Sequence, residues 1–528
     1  MTRVERLATW LLVSIGLQAL VHFFAWWTTP GRVANLPLFV LFTAATWFSA
    51  FRMFANWFAL LHVERPTHRP PPPGWTVDVM TTAAPGEPLT LFETTLPALV
   101  NLRYPHKTYL LDDSGREELR RLCEALGVHY IRRPHPGEGG KAGNVNYGLA
   151  RTTGEFVAIF DPDHVPVPEF LDRVLGYFAD PRVGYVQAPQ VYHNEHETPV
   201  ARGAAEQTYE LYGPTMMGLH GLEAPLLFGC HTTFRRTALE SIGGYAVHNA
   251  EDLRTAMRLT AAGWKGVYVP EVLARGLVPA DLATFLRQQF RWAHSVCDLF
   301  FRDYWRLLPR WNVFQAVAFF MVGTYYFVGP AILVNLFLPP LLLFAGVRGV
   351  ADTAASFLTH LGPLVACNLV IRRWGQRYLL RGEERGWHPH GMVMLFASAF
   401  AHTAGLVAAL AGVRVPYLVT HKTRQPSGLR QVRLHMLTGT VSVAAVLYAL
   451  VTAQPDAAVL ELLALWNAAM MGAVVWIALD EEAYQRRQRA SSPREERTGA
   501  HAALLEDRPR AAAGRLVAGP VVGRALER

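Results

Sequence analysis

The sequence predicts an α/β domain set between blocks of α-helical transmembrane segments. The 528-residue chain is 51% hydrophobic and only 17% charged, where about a quarter charged is usual for soluble proteins. Its apolar residues concentrate before residue 61 and after residue 312, leaving a mixed middle in which strand and helix signals alternate. The net charge of +8 lies mostly in basic clusters beside the apolar runs and needs no nucleic-acid partner. The cysteines, Cys123, Cys230, Cys297 and Cys367, form no C-x-x-C pair, which fits a reducing compartment better than a disulfide framework.

Residues 1–61 hold two spans, Leu7 to Trp27 and Leu36 to Leu60, each reaching the roughly 20 apolar residues a crossing needs. No small-residue cleavage site follows the first, so it reads as a span and not as a signal peptide. Residues 62–74 form a stiff, basic, Pro-rich linker. After residue 312 the apolar runs are about 313–338, 354–371, 391–411, 433–453 and 458–479. Arg372, Arg373, Arg377, Arg381 and Arg385 form one basic cluster, and Arg414, Lys422, Arg424, Arg430 and Arg433 another. The positive-inside rule puts both in the cytoplasm, so 391–411 between them is expected to lie at the interface. Residues 313–346 are expected to count once, as a tilted span broken at Pro339-Pro340. The expectation is six spans, with the middle domain and both termini cytoplasmic and the protein in the inner (plasma) membrane. An eight-span arrangement is the alternative. Residues 481–528 hold ten Arg against seven Asp or Glu and read as a disordered cytosolic tail.

The middle domain, 75–306, reads as strand Val77–Thr81, helix Leu89–Leu102, strand Thr108–Leu111, helix Arg116–Leu126, strand Val128–Ile131, helix Ala142–Ala150, strand Phe156–Phe160 and helix Glu169–Phe178. Such alternation predicts a sheet that is parallel in its first half. The second strand ends in Asp112-Asp113-Ser114 and the fourth in Asp161-Pro162-Asp163-His164. In such sheets ligands collect beyond the carboxyl ends of the strands, and carboxylates at D-x-D spacing offer oxygens to a hard cation such as Mg²⁺ or Mn²⁺. The same residues also suit an Asp-Pro turn. Gly139-Gly140-Lys141-Ala142-Gly143-Asn144 suits a diphosphate, through free N–H groups and one positive charge, and equally a flexible loop. Glu251 and Asp252 open a helix, where they either complement its dipole or provide a general base. Gln288-Gln289-Phe290-Arg291-Trp292 lies on an amphipathic helix just before the membrane. Its Arg suits a phosphate and its Trp a sugar ring, and both also suit interfacial anchoring.

In this order, Asp112-Asp113-Ser114, Lys141-Ala142-Gly143-Asn144, Asp161-Pro162-Asp163-His164, Glu251-Asp252, Gln288-Gln289-Phe290-Arg291-Trp292 and Tyr417-Leu418-Val419-Thr420-His421-Lys422 resemble the processive, membrane-embedded family 2 glycosyltransferases, and among them the bacterial cellulose synthase catalytic subunit. The resemblance runs from about Trp75 to Lys422. It implies a cytosolic GT-A (Rossmann-like) domain, a nucleotide-diphosphate sugar donor, most often UDP-glucose, and a growing polysaccharide acceptor. It further implies that Asp112 and Asp113 contact the uridine part and that Lys141, Gln288 and Arg291 bind the nucleotide diphosphate. Asp161 and Asp163 would hold Mg²⁺ or Mn²⁺, Asp252 beside Glu251 would be the base, and Trp292 would stack on the acceptor. Tyr417, Val419, Thr420 and Lys422 match a gating loop, placed at 413–428, that closes over the donor. The spans of 307–480 would form a polymer channel in contact with membrane lipid, with accessory secretion subunits as possible partners.

The chain departs from the family in places. Ala250 stands where a Thr usually precedes Glu-Asp, and Tyr417 replaces Phe. Pro85-Gly86-Glu87 keeps only the Glu of a tyrosine-asparagine-glutamate motif. Phe228-Gly229-Cys230-His231 replaces the usual phenylalanine-cysteine-glycine near the acceptor. These changes put the product in question more than the catalysis. A 48-residue tail leaves no room for the cyclic-di-GMP-binding barrel that cellulose synthases often carry. The competing readings are a synthase of a β-1,3, mixed-linkage or amino-sugar polymer, a non-processive transferase to lipid, and a membrane scaffold or transporter with an inactive domain. The intact acids argue against the last.

Overall fold

A computed structural model describes residues 1–347, 350, 353–416, 422–454 and 457–491. Ten strands build the middle domain: β1 (Val77–Ala83), β2 (Lys107–Asp112), β3 (His129–Arg132), β4 (Phe156–Phe160), β5 (Val165–Pro166), β6 (Val183–Gln187), β7 (Val191–Tyr192), β8 (Thr232–Arg235), β9 (Lys265–Tyr268) and β10 (Ala274–Gly276). The main sheet has the order β3-β2-β1-β4-β8-β6-β9. Its first four strands run parallel, as expected, and β8 is antiparallel to both β4 and β6. β1 and β4 are buried nearly throughout, and each reads as a near-continuous apolar or small-residue run, the signature of a parallel sheet covered on both faces. Val79, Leu96, Leu110, Phe156 and Phe170 belong to the core on one face, and Met80, Leu111, Ile159 and Phe234 to the core on the other.

From β1 the chain steps to β2 and β3 on one side, and β4 then pairs on the other side of β1. The strand order therefore reverses beside β1, and a crevice opens at that point. Register brings the strand ends level: Ala83 pairs with Asp112, and Thr81 with Phe160. Glu87, Asp112 and Asp161 thus leave the same edge.

Among the described residues six helices are long and apolar enough to cross a membrane, or seven if the bent pair Pro389–Ala397 and Ala399–Leu410 counts as one span: Arg3–Trp27, Leu36–Leu61, Tyr325–Ala345, Ala355–Tyr378, Leu429–Val451 and Ala458–Arg487. These six fall on the six expected spans, but one boundary differs from the expectation. The stretch 313–346 breaks at Thr324 and not at Pro339-Pro340. Val313–Gly323 is a separate short helix opened by an Asn312 capping box, while both prolines lie inside Val328–Ala345. Pro339 has no N–H to give the carbonyl of Asn335. The Asn467 side chain of the last apolar helix supplies that hydrogen bond instead, at 2.6 Å, so the helix continues.

The 391–411 stretch is a bent pair, Pro389–Ala397 and Ala399–Leu410, with 46° between them. It packs on Pro199–Glu210 and Leu282–Leu299 of the middle domain. Gly405 lets the second helix approach so closely that a Cβ there would meet Ala293 at 2.7 Å.

The disordered tail expected from residue 481 is corrected at its start, because the last helix runs on to Ser491. Glu481 is buried and accepts hydrogen bonds from the Leu282 N–H at 2.9 Å and from the Ser427 hydroxyl. Residues 1–481 form one compact unit.

Candidate active site

The crevice is built from loops at the ends of β1, β2 and β4 and from the starts of two helices. Asp112 is fully buried and accepts from the Ser114 N–H and hydroxyl, the Gly115 N–H and the Tyr130 hydroxyl, at 2.6–3.0 Å. Those four bonds match a carboxylate's acceptor capacity. Asp113 holds Arg133 through two parallel bonds of 2.6 and 2.5 Å and accepts from Gly137 N–H at 3.1 Å. Arg133 also donates to the carbonyls of Glu138 and Gly140. This fork ties the second strand end to the glycine loop.

That loop is shaped by positive φ at Gly137, Gly139 and Gly140, a region open to glycine at little cost. It opens the helix Gly140–Leu149, whose second residue, Lys141, projects into the crevice. Its ammonium lies 2.5 Å from Asp161 and 3.8 Å from Glu251. Lys422, from the segment returning out of the membrane region, lies 2.6 Å from Asp163. Burial works against ionising Asp161 and Asp163, but Lys141 and Lys422 outweigh it and hold both carboxyls below the ordinary range.

Glu251 and Asp252 begin the helix Glu251–Ala261. Burial pushes Glu251 up to about 7, with Lys141 opposing and Asp252 reinforcing the rise. Asp252 is also raised, chiefly by burial, although the Leu253 N–H (2.7 Å) and Lys141 oppose it. Gly229 sits against this acid, and a Cβ there would stand 2.9 Å from the Asp252 Cβ. In the sequence Glu87 stands out as a retained motif residue and not as a site residue. It is buried beside Lys422, Asp163 and Asp161, and burial pushes it up to about 7. The signal was its position just past the end of β1. Arg133 had no comparable signal, because its role depends on pairing across the loop.

The Gln288–Trp292 stretch lies on Leu282–Leu299, which Asp281 caps by accepting from the Thr284 N–H at 2.8 Å. Trp292 is 39% exposed. Gln289 is buried and accepts from His402 at 2.9 Å. Tyr417, Val419 and Thr420 lie outside the described residues, but both flanks of their segment are anchored. On one side Asn249 donates to the Val415 carbonyl, and His294 bonds that of Val413, both at 2.8 Å. On the other, Lys422 reaches Asp163 and the Gln425 N–H donates to Asp281 at 2.9 Å. The structure thus gathers Lys141, Asp161, Asp163, Glu251 and Lys422 in one crevice, with Asp252 adjoining Glu251.

Asp161, Asp163 and His164 bring ligand atoms within 4.8 Å of one another, and one oxygen of Asp163 has no hydrogen-bond partner. Two carboxylates already facing positive charge form a donor set of the right chemistry for a hard divalent cation.

The sheet order and this acidic crevice are those of a GT-A-like α/β domain, joined to helices long and apolar enough to cross a membrane. Two family models match the chain, "Glycosyltransferase like family 2" over residues 72–295 and "Cellulose synthase" over residues 240–444. The chain is similar to a cellulose synthase 1 catalytic subunit [UDP-forming] of Komagataeibacter xylinus, 31% identical over 48% of this chain and 35% of that protein. It is also similar to a cellulose synthase catalytic subunit [UDP-forming] of Pseudomonas fluorescens, 30% identical over 66% of this chain and 53% of that one. The chain therefore spans between about a third and about a half of such relatives. Among solved structures, the mannosyltransferase PcManGT from Pyrobaculum calidifontis, in complex with GDP-Man and Mn²⁺, aligns at TM-score 0.48 and 18% identity over 76% of this chain and 100% of that one. The middle domain and the segments that follow it are thus similar to family 2 glycosyltransferases of the cellulose synthase type.

Proposed function

We propose that the protein is a processive, inverting glycosyltransferase that polymerises a sugar from a nucleotide-diphosphate donor, UDP-glucose first among the candidates, into a cellulose-like β-1,4-glucan and exports it through its own membrane helices. The observation that carries this reading is the meeting in one crevice of Lys141, the Asp161–Asp163 pair, Glu251 and Lys422, with Asp252 beside Glu251. Lys422 is contributed by the membrane-proximal half of the chain.

Asp161 and Asp163 would hold Mg²⁺ or Mn²⁺, which when bound supplies charge neutralisation at the diphosphate. Lys141, at the opening of its helix, adds positive charge and backbone N–H groups for the same diphosphate. Asp252 takes the proton of the acceptor hydroxyl, and its burial makes it a stronger base than an exposed carboxylate. Attack from the side opposite the leaving group turns an α-linked donor into a β-linked product. Asp112 and Asp113 hold the loop edge where the base of the nucleotide would lie, and Gln288 and Arg291 are assigned to the diphosphate. Trp292 offers the exposed face for the acceptor sugar. The anchored flanks of 417–421 suit a gate over the donor that keeps water out. The packing of 389–410 on domain helices supports an interfacial placement, with the domain on the cytoplasmic side of the inner membrane.

The test is incorporation of radiolabelled UDP-sugars by the purified protein in lipid vesicles with Mg²⁺ or Mn²⁺, followed by linkage analysis. Absence of product with every donor, while nucleotide still binds, would sink the reading. A β-1,3 or amino-sugar linkage would transfer it to another polymer.

A further inference from the structure

Behind the acidic pair lies a second cluster that the transferase chemistry does not use. β8 runs antiparallel to β4, with Thr232 opposite Ile159. The residues just beyond that pair, Cys230 and His231 on one strand and the Asp161–His164 turn on the other, are therefore neighbours. The backbone is held for this arrangement: Gly229 has φ +78° and His231 has φ +38°. A histidine in the left-handed region is strained and persists only where its surroundings require it.

We propose that Cys230, His231 and His164 form a binding site for a borderline-soft divalent cation of the zinc class, beside the hard-cation site of Asp161 and Asp163 and sharing His164 with its donor set. Each offers one ligand atom, and the three atoms lie within 4.8 Å of one another. His164 is 5% exposed and the other two are fully buried. The His231 Nε2 lies 2.8 Å from the carbonyl of Pro189. A carbonyl only accepts, so Nε2 carries the proton and the Nδ1 lone pair faces the Cys230 sulfur at 3.1 Å. A ring nitrogen bonded to a backbone carbonyl, with the other turned to a thiol, is the arrangement that orients metal-ligating histidines.

His164 supplies an independent indication. Neither of its ring nitrogens has a hydrogen-bond partner, and an Asp163 oxygen lies 3.4 Å from Nδ1. A buried imidazole without partners carries a desolvation cost that a ligand would relieve. Space is kept for it, because a Cβ on Gly276 would stand 2.2 Å from its Nε2. The nearby charges cancel, Lys141 against Asp161 and Lys422 against Asp163, so a cation does not face a net positive field. Binding exchanges the Cys230 S–H bond for a sulfur–metal bond and releases one proton per ion. Two imidazoles and a thiolate leave a fourth, tetrahedral position to water.

The experiment uses the full-length protein in detergent, reduced and stripped of metal with a chelator, then titrated with Co²⁺ and afterwards Zn²⁺. One equivalent of cobalt should produce thiolate-to-cobalt charge-transfer absorption and release one proton, and zinc should abolish the absorption. Cys230→Ser should remove it, and His231→Asn should weaken cobalt binding at least about tenfold. Asp161→Asn and Cys123→Ser should leave it in place. Wild-type protein without the absorption, or absorption that survives in Cys230→Ser, would overturn the proposal. The wild-type titration decides the matter even if a variant fails to fold, and none of the readouts depends on glycosyl transfer.

Discussion

Asp252 combines two properties that a base needs, a raised affinity for protons and a position at the head of a helix facing the crevice. A carboxyl whose pKa is raised is ionised only above that raised value, so base activity is lost as pH falls through it. The acid limb of kcat/KM should lie above the ~3.9 of an ordinary Asp and belong to the Glu251–Asp252 pair jointly. A pH–rate profile flat down to that value would contradict the assignment. Asp252→Asn should abolish incorporation while UDP binding, measured by calorimetry, stays within a few-fold. Arg133 and Asp113 are only 5% and 10% exposed, and removing one partner strands the other's charge. Arg133→Ala should cost about 3–5 kcal/mol, seen as a lowered Tm, and the double variant with Asp113→Ala should recover part of it. At this scale the acids and Lys141 were legible because each ends a strand or opens a helix. Glu87 was only half legible, since its meaning depends on register, and the Cys230–His231–His164 cluster was not, since it exists only through the β4–β8 pairing.

Three elements meet at Glu481. The last apolar helix contributes the acid, the amphipathic helix its first N–H at Leu282, and the segment after Lys422 its Ser427 hydroxyl. Asp281 repeats the link by capping the amphipathic helix with one oxygen and accepting from Gln425 with the other. Glu481→Ala would remove the acceptor of the buried Leu282 N–H, at about 1–3 kcal/mol. We expect a lower Tm and a raised KM for donor, whereas Glu481→Gln, which retains an acceptor, should change both less. An unchanged Tm in Glu481→Ala would remove this junction from consideration. The sequence concealed it for a physical reason. An Arg- and Ala-rich run reads as solvated tail, yet Ala, Glu, Gln and Arg are strong helix formers, and one buried acid anchors the turn where the run begins. The break at Thr324 was hidden likewise. Prolines mark interruptions in a lone helix, and here the Asn335 carbonyl that Pro339 leaves open is met by a side chain 132 residues further along the chain.

On the scale of the whole molecule, the strand order, the six apolar helices and the acidic crevice agree with one another, and most of this was legible as periodicity and strand-end chemistry. Topology on the membrane rests on charge asymmetry and makes its own prediction. In vesicles with the transferase domain outward, polymer should become resistant to added glucanase as it lengthens, because it accumulates in the lumen. Product that stays fully digestible would separate synthesis from export. Chelation of divalent cations should stop incorporation, and added Mg²⁺ or Mn²⁺ should restore it.

The lysines on the two acids carry one more implication. Lys141 and Lys422 together bring two positive charges to Asp161 and Asp163, the same charge as one divalent ion. Both ammoniums stay tethered to the chain when an ion displaces them, so the visible effect of cation uptake should be mechanical. An ion that took their place on the acids would free Lys422 from Asp163, so occupancy of the crevice would be tied to the position of the segment that carries Lys422.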